Sequence, residues 1–120
     1  MRADRMSGKQ RLAEQIVEAD LTVIGAGPAG LGAALSAARL GMCVALVTDR
    51  SVLGGNAGKE VRLDANGAEW FGLYRRESGI IEELKLENLY RNPQANIHIW
   101  DLVLLEAVRR EKNLRLFFDT

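Results

Sequence analysis

A chain of 120 residues has room for one compact domain of ordinary size. Its 48% hydrophobic and 27% charged residues argue for a globular fold, and 16 basic against 16 acidic side chains leave no basic excess to attract nucleic acid or an anionic membrane surface. No apolar run approaches the ~18 residues of a membrane span, while one cysteine and one histidine exclude an internal disulfide framework and a histidine-rich metal site.

The N-terminal MRADRMSGKQRLAEQ lacks the apolar core of a secretory signal, so a cytoplasmic protein is expected. Residues 1–19 read as a leader. Within it, Gln10 to Glu18 is either a short helix, with Leu12, Ala13, Ile16 and Val17 on its apolar side, or a loose lead into the first strand. Leu21 to Ile24 is that strand, short and β-branched at Val23 and Ile24. Pro28 to Leu40 is a helix whose alanines (Ala29, Ala33, Ala34, Ala37, Ala38) make a nearly flat face for close packing, and Gly41 stops it. Val44 to Val47 is apolar throughout, as in a strand covered on both faces. Cys43 just before it is expected to be buried and inert.

Ser51 to Gly58 is a glycine-rich loop, and Glu60 to Leu63 reads as a short strand. Asp64 to Gly79 lacks periodicity but carries Trp70, Phe71 and Tyr74, which suggests an ordered insertion. Ile80 to Tyr90 is a helix ending before Pro93. Trp100 to Glu111 is the clearest amphipathic helix, with Trp100, Val103, Leu104, Ala107 and Val108 on one side. Leu102 and Leu105 widen that surface and suggest burial on two sides. Leu114 to Phe118 is a third strand. The fold class is therefore α/β, a Rossmann-like parallel sheet left incomplete at three strands with two to four helices.

The stretch LTVIGAGPAGLGAALSAARLG, Leu21 to Gly41, organises the chain. Gly25-x-Gly27-x-x-Gly30 follows a strand and opens a helix, which is the arrangement that binds a dinucleotide. Gly25 permits the tight turn, Gly27 lets backbone approach a pyrophosphate, and Gly30 permits close packing. Pro28 and Ala29 open the helix, whose first amides and dipole favour an anion. Asp49, closing the second strand, is the candidate acceptor for adenosine-ribose hydroxyls, with Thr48 beside it. Arg50 either favours a 2′-phosphate or forms a surface ion pair. The glycine motif alone does not separate FAD from NAD.

Together VIGAGPAG, LVTDR and LGGNAG resemble the FAD-dependent oxidoreductases of the glutathione-reductase-like, two-dinucleotide-binding-domain type, and more narrowly the large bacterial subgroup with a DRxxxLGGN segment. GIIEELKLENLYRNPQ and IWDLVLLEAVRRE are further matches, so the resemblance covers about Asp20 to Thr120. It implies that 20–120 is the N-terminal part of an FAD-binding domain, with an insertion at about 59–98. It implies that Gly25, Gly27 and Gly30 hold the FAD pyrophosphate, Asp49 the ribose, and Arg50 the adenosine side. Leu53, Gly54, Gly55 and Asn56 would wrap the pyrophosphate and ribityl portion. Three departures stand out. The acidic residue falls at Asp49 rather than in the slot of Thr48 that is usual in the wider flavoprotein superfamily, a shift that relatives with the DR pair share; Gly58 and Lys59 replace small hydroxyl residues, and LDANGAEW is unlike the family pattern.

In the strand order 3-2-1-4-5 that the resemblance implies, strand 1 is an unpaired edge, and such an edge invites association. The expectation is a fragment or one component of an assembly, with a second chain or self-association completing the sheet. Within it, FAD would exchange a hydride with a small-molecule substrate, without nucleic-acid or membrane partners. A noncatalytic subunit that retains the fold and an NAD-binding module are the alternatives. No catalytic residue is assigned. His98 reads as a structural or surface residue, Glu60, Arg62 and Glu69 form no pattern that marks a site, and Trp70 and Trp100 read as packing residues.

Overall fold

The structure is a computed structural model, and it describes residues 14–65 and 78–120. Three parallel strands, β1 (Leu21–Ile24), β2 (Val44–Val47) and β3 (Leu114–Phe117), form one sheet in the order β1-β2-β3. Leu21 to Ile24 pair with Val44 to Val47, and these in turn with Leu114 to Phe117. Parallel neighbours need crossovers. Helix α1 (Pro28–Arg39) supplies the first, and α2 (Ile80–Arg91) with α3 (Ile97–Arg110) lies within the second.

Side chains alternate along a strand. Leu21 and Val23, Val44 and Leu46, and Leu114 and Leu116 join one core with Leu31, Leu35, Leu84, Val103 and Leu104 of the helices. The alternate residues are left on the other face, where Ile24 is 85% exposed and the Arg115 guanidinium lies 5.4 Å from the centre of the Phe117 ring. Only Ala45, small and flanked by strands on both sides, is buried among them.

Each helix ends for a local reason. Proline occupies the first turn of α1, where its missing amide loses nothing, and Gly41 at φ 94° closes the other end with its N–H donating to Ala38. Asn92 knits α2 to α3. Its side-chain amide donates to Asn88 Oδ1 and the Asn96 carbonyl, while its own oxygen accepts from the Asn96 amide. Buried at 4% exposure, Asn92 satisfies its polar atoms entirely in that corner. Asn96 then caps α3, its oxygen accepting the His98 amide at 2.9 Å.

Four expectations change. Residues 14–19 are not helical, so that part of the leader is the loose lead-in. Glu60 to Leu63 is no strand: the amides of Arg62 and Leu63 bond to the carbonyls of Gly58 and Asn56, folding the segment back on the preceding loop. Cys43 is exposed, at the open N-terminal end of β2, and its amide donates to Asp20 Oδ2. Leu102 is half exposed, so α3 is buried along one side. Glu69, Trp70, Phe71 and Tyr74 lie outside the described residues, with the rest of 66–77 in the expected insertion.

Candidate dinucleotide site

The glycine turn and the second glycine loop, well separated in sequence, meet at the C-terminal ends of the strands, where open parallel sheets bind ligands. The Gly25 amide donates to the Val47 carbonyl at 2.8 Å, tying the turn to β2. The Gly54 amide donates to the Ala26 carbonyl, also at 2.8 Å, tying the second loop to the turn. Here the two backbones touch. A Cβ built on Gly55 would stand 2.9 Å from the Gly27 Cα, closer than side chains allow.

The third glycine of the motif has a still stricter role. A Cβ on Gly30 would lie 1.8 Å from the Gly25 carbonyl oxygen, so α1 begins as close to the turn as backbone permits. Gly27 caps α1 with no side-chain acceptor, and the first turn holds no acidic residue. The positive end of the helix therefore meets no side chain of its own that would repel an anion. Gly25, at φ 99°, has open space where a Cβ would be. Backbone amides, a helix terminus and glycine surfaces make a cradle that fits a pyrophosphate.

The remaining candidate residues divide by exposure. Asp49 is exposed just past β2 and pairs with no described residue. Thr48 is 5% exposed, and its hydroxyl oxygen accepts the Arg50 amide at 3.3 Å. The Arg50 guanidinium pairs with Glu60 at 3.0 Å, so the surface ion pair is formed, but not with its neighbour Asp49. Leu53, at 2% exposure, sends its side chain into the core and leaves only backbone toward the loop. Gly54 and Gly55 take left-handed conformations, Asn56 is exposed on the short 3-10 turn Gly55–Ala57, and Ala29 is exposed at the start of α1.

Sequence reasoning missed what holds the second loop from behind. Trp100 Nε1 donates to the Ala57 carbonyl at 2.8 Å, the Lys59 ammonium lies 3.1 Å from Asp101 Oδ2, and a Cβ on Gly54 would reach within 3.0 Å of Leu104. The available signal was an aspartate inside the apolar run IWDLVLL. His98 is exposed, in keeping with a surface residue, and no group of metal-ligating side chains occurs among the described residues.

A tRNA uridine 5-carboxymethylaminomethyl modification enzyme, MnmG, of Treponema denticola is 34% identical over 120 aligned residues, covering 84% of this chain and 19% of that protein. Soluble pyridine nucleotide transhydrogenases of Hahella chejuensis and Pseudomonas putida are 60% and 57% identical over 37 residues, 31% of this chain and 8% of theirs. The chain thus spans between 8% and 19% of the length of these curated relatives. A histamine dehydrogenase from Rhizobium sp. 4-9 is a structural match at 19% identity and a TM-score of 0.44, over 92% of this chain and 13% of that one. The family model described as FAD dependent oxidoreductase matches residues 20–120. The chain therefore belongs to the FAD dependent oxidoreductase family, and its cofactor is FAD.

Proposed function

We propose that the chain binds the ADP part of FAD across the C-terminal ends of its strands, as the nucleotide-holding portion of an enzyme that passes a hydride between a small-molecule substrate and the flavin. The observation that carries this reading is the contact of Gly27 with Gly55, which joins both glycine segments into one side-chain-free surface. On it the first-turn amides of α1 and the backbone of Gly54 to Asn56 would face the pyrophosphate. Asp49, exposed and without a partner among the described residues, would accept the ribose hydroxyls. Bound flavin supplies the two-electron chemistry, while these residues bind and orient it.

The proposal extends to a partner. The outer edge of β1 has no neighbouring strand among the described residues, and Ile24 beside it is almost fully exposed. A strand from a second chain or a second copy would satisfy that edge. No helix among the described residues is long and apolar enough to cross a membrane.

Competitive titration of the purified protein tests the cofactor assignment. ADP is expected to displace FAD, FMN to leave it bound, and Asp49→Asn to weaken FAD about tenfold through the loss of charge-assisted hydrogen bonds. Displacement by FMN as effective as by ADP, or NADH binding more tightly than FAD, would overturn it.

A further inference from the structure

The second glycine loop is held to the protein through α3, and the contacts form a patterned set. Trp100, Asp101 and Leu104 occupy one side of a single turn of helix, and each meets a different part of the loop. Leu104 packs against Gly54 at the loop's entry, Trp100 donates to the Ala57 carbonyl at its middle, and Asp101 receives the Lys59 ammonium at its exit. The loop's internal hydrogen bonds run from Ala57 to Gly54, from Gly58 to Gly55 and from Leu63 to Asn56 and only shape it; the Gly54–Ala26 bond fixes its entry to the glycine turn, which leaves its middle and exit to α3. Gly58 tightens the fit further: a Cβ there would stand 2.4 Å from the Leu53 carbonyl oxygen.

Asp101 is the polar centre of this arrangement. Its Oδ1 is buried and accepts no hydrogen bond from a described residue, and its Oδ2 meets Lys59. A carboxylate so placed depends heavily on its cationic neighbour, because a buried oxygen gains little from solvent. Lys59 keeps 37% of its side chain exposed, so it is a tether at the protein surface rather than a buried charge.

We propose that Lys59, Asp101 and Trp100 are positioning residues for FAD. They clamp the second glycine loop against α3 in the conformation that receives the pyrophosphate, without touching the cofactor themselves. The inference rests on the assignment of that loop to FAD. It adds that affinity is set partly from a helix behind the site.

The test compares FAD affinity of the purified wild-type protein with that of Lys59→Met, Asp101→Asn, their double variant, Lys59→Arg and Trp100→Phe. Both charge-removing variants are expected to weaken FAD by about two- to fivefold, the size of a partly exposed ion pair acting on a loop. The double variant should be no worse than either alone, and Lys59→Arg should restore most of the affinity. In the cofactor-free proteins, amide exchange at Ala57 and Gly58 should rise while the melting temperature stays within about 2 °C of wild type. Trp100→Phe, which keeps an aromatic side chain but removes the indole N–H, should loosen the same amides.

Asp101→Asn separates positioning from direct contact. If Lys59 touches the phosphates itself, freeing it from Asp101 leaves affinity unchanged or improved, and that result overturns the proposal. Unchanged affinity in all the variants overturns it as well. Failure of the wild-type protein to bind FAD would instead remove the cofactor assignment on which the inference rests.

Discussion

The two ends of the molecule are built in different materials. At the C-terminal ends of the strands, contact is made between backbones, with glycine at Gly27, Gly30, Gly54, Gly55 and Gly58 wherever chains approach most closely. On the helical side, contact is made by long charged side chains. Arg39 of α1 binds both oxygens of Glu83 at 2.7 and 2.8 Å and reaches Glu111 at 2.9 Å, while Arg91 of α2 bridges to Glu106 of α3 at 2.6 Å. Backbone cannot retreat from an added methyl, whereas a solvated ion pair can be lost and replaced by water. The first region should therefore be intolerant and the second forgiving.

Gly30→Ala is the strongest attempt to break that contrast. Alanine is the better helix former by about 1 kcal/mol, yet its Cβ would overlap the Gly25 carbonyl oxygen at 1.8 Å. The clash should win, with a loss of about 3–5 kcal/mol in denaturant unfolding and loss of FAD binding. Gly58→Ser, which installs the small hydroxyl residue of the family pattern, should cost about 2 kcal/mol by the same assay because the Leu53 carbonyl lies in the way. A stability gain from either substitution would refute the packing described for this end.

Between the two extremes stands Asn92→Ala, which leaves the Asn96 amide and carbonyl without their partner at the α2–α3 corner. A loss of about 1–3 kcal/mol is expected in thermal unfolding, as for other buried hydrogen-bonded groups. Arg39→Met should cost about 1 kcal/mol or less, since its partners are partly exposed and screened by salt. High salt should narrow the gap between the two proteins.

The smallest effect is titration of the same network. Hydrogen bonding to Arg39 holds the Glu83 carboxyl below the usual carboxylate range, and hydrogen bonding to Arg91 does the same for Glu106. Carboxyls depressed on folding contribute stability that is fully present above their unfolded values and lost as pH falls through the folded ones. The contribution of these pairs should therefore be fully present and insensitive to pH near neutrality, and be lost modestly in acid. Arg39→Met should flatten the acid limb of the stability curve.

How far the sequence foretold this depends on the kind of signal. Strand, glycine turn and alanine-rich helix were legible because each obeys a local rule, and the boundaries of β1 and β2 fall where hydrophobic runs end. β3 was read one residue too long. The longer extent of α3 was hidden because its first turn, Ile97 to Ile99, is organised by the Asn96 cap instead of by apolar periodicity. The expected strand at Glu60 to Leu63 failed because hydrogen bonds to Gly58 and Asn56 fold it into the loop, which no strand propensity encodes. In the site, the two glycine segments were legible separately. Their contact was not, since only the β1–α1–β2 crossover brings Gly55 onto Gly27.

The bond from Trp100 to Ala57 also carries a consequence for timing. It joins residues 43 positions apart, with the glycine loop made first and the helix that steadies it made later. A ribosome adding ~5–20 residues per second needs several seconds to cross that interval. During it the nascent chain carries the complete glycine turn beside a loop that is bonded to the turn at Gly54 but still lacks all three of its contacts with α3. Cofactor capture during synthesis should therefore lag the emergence of the glycine motif and follow that of α3.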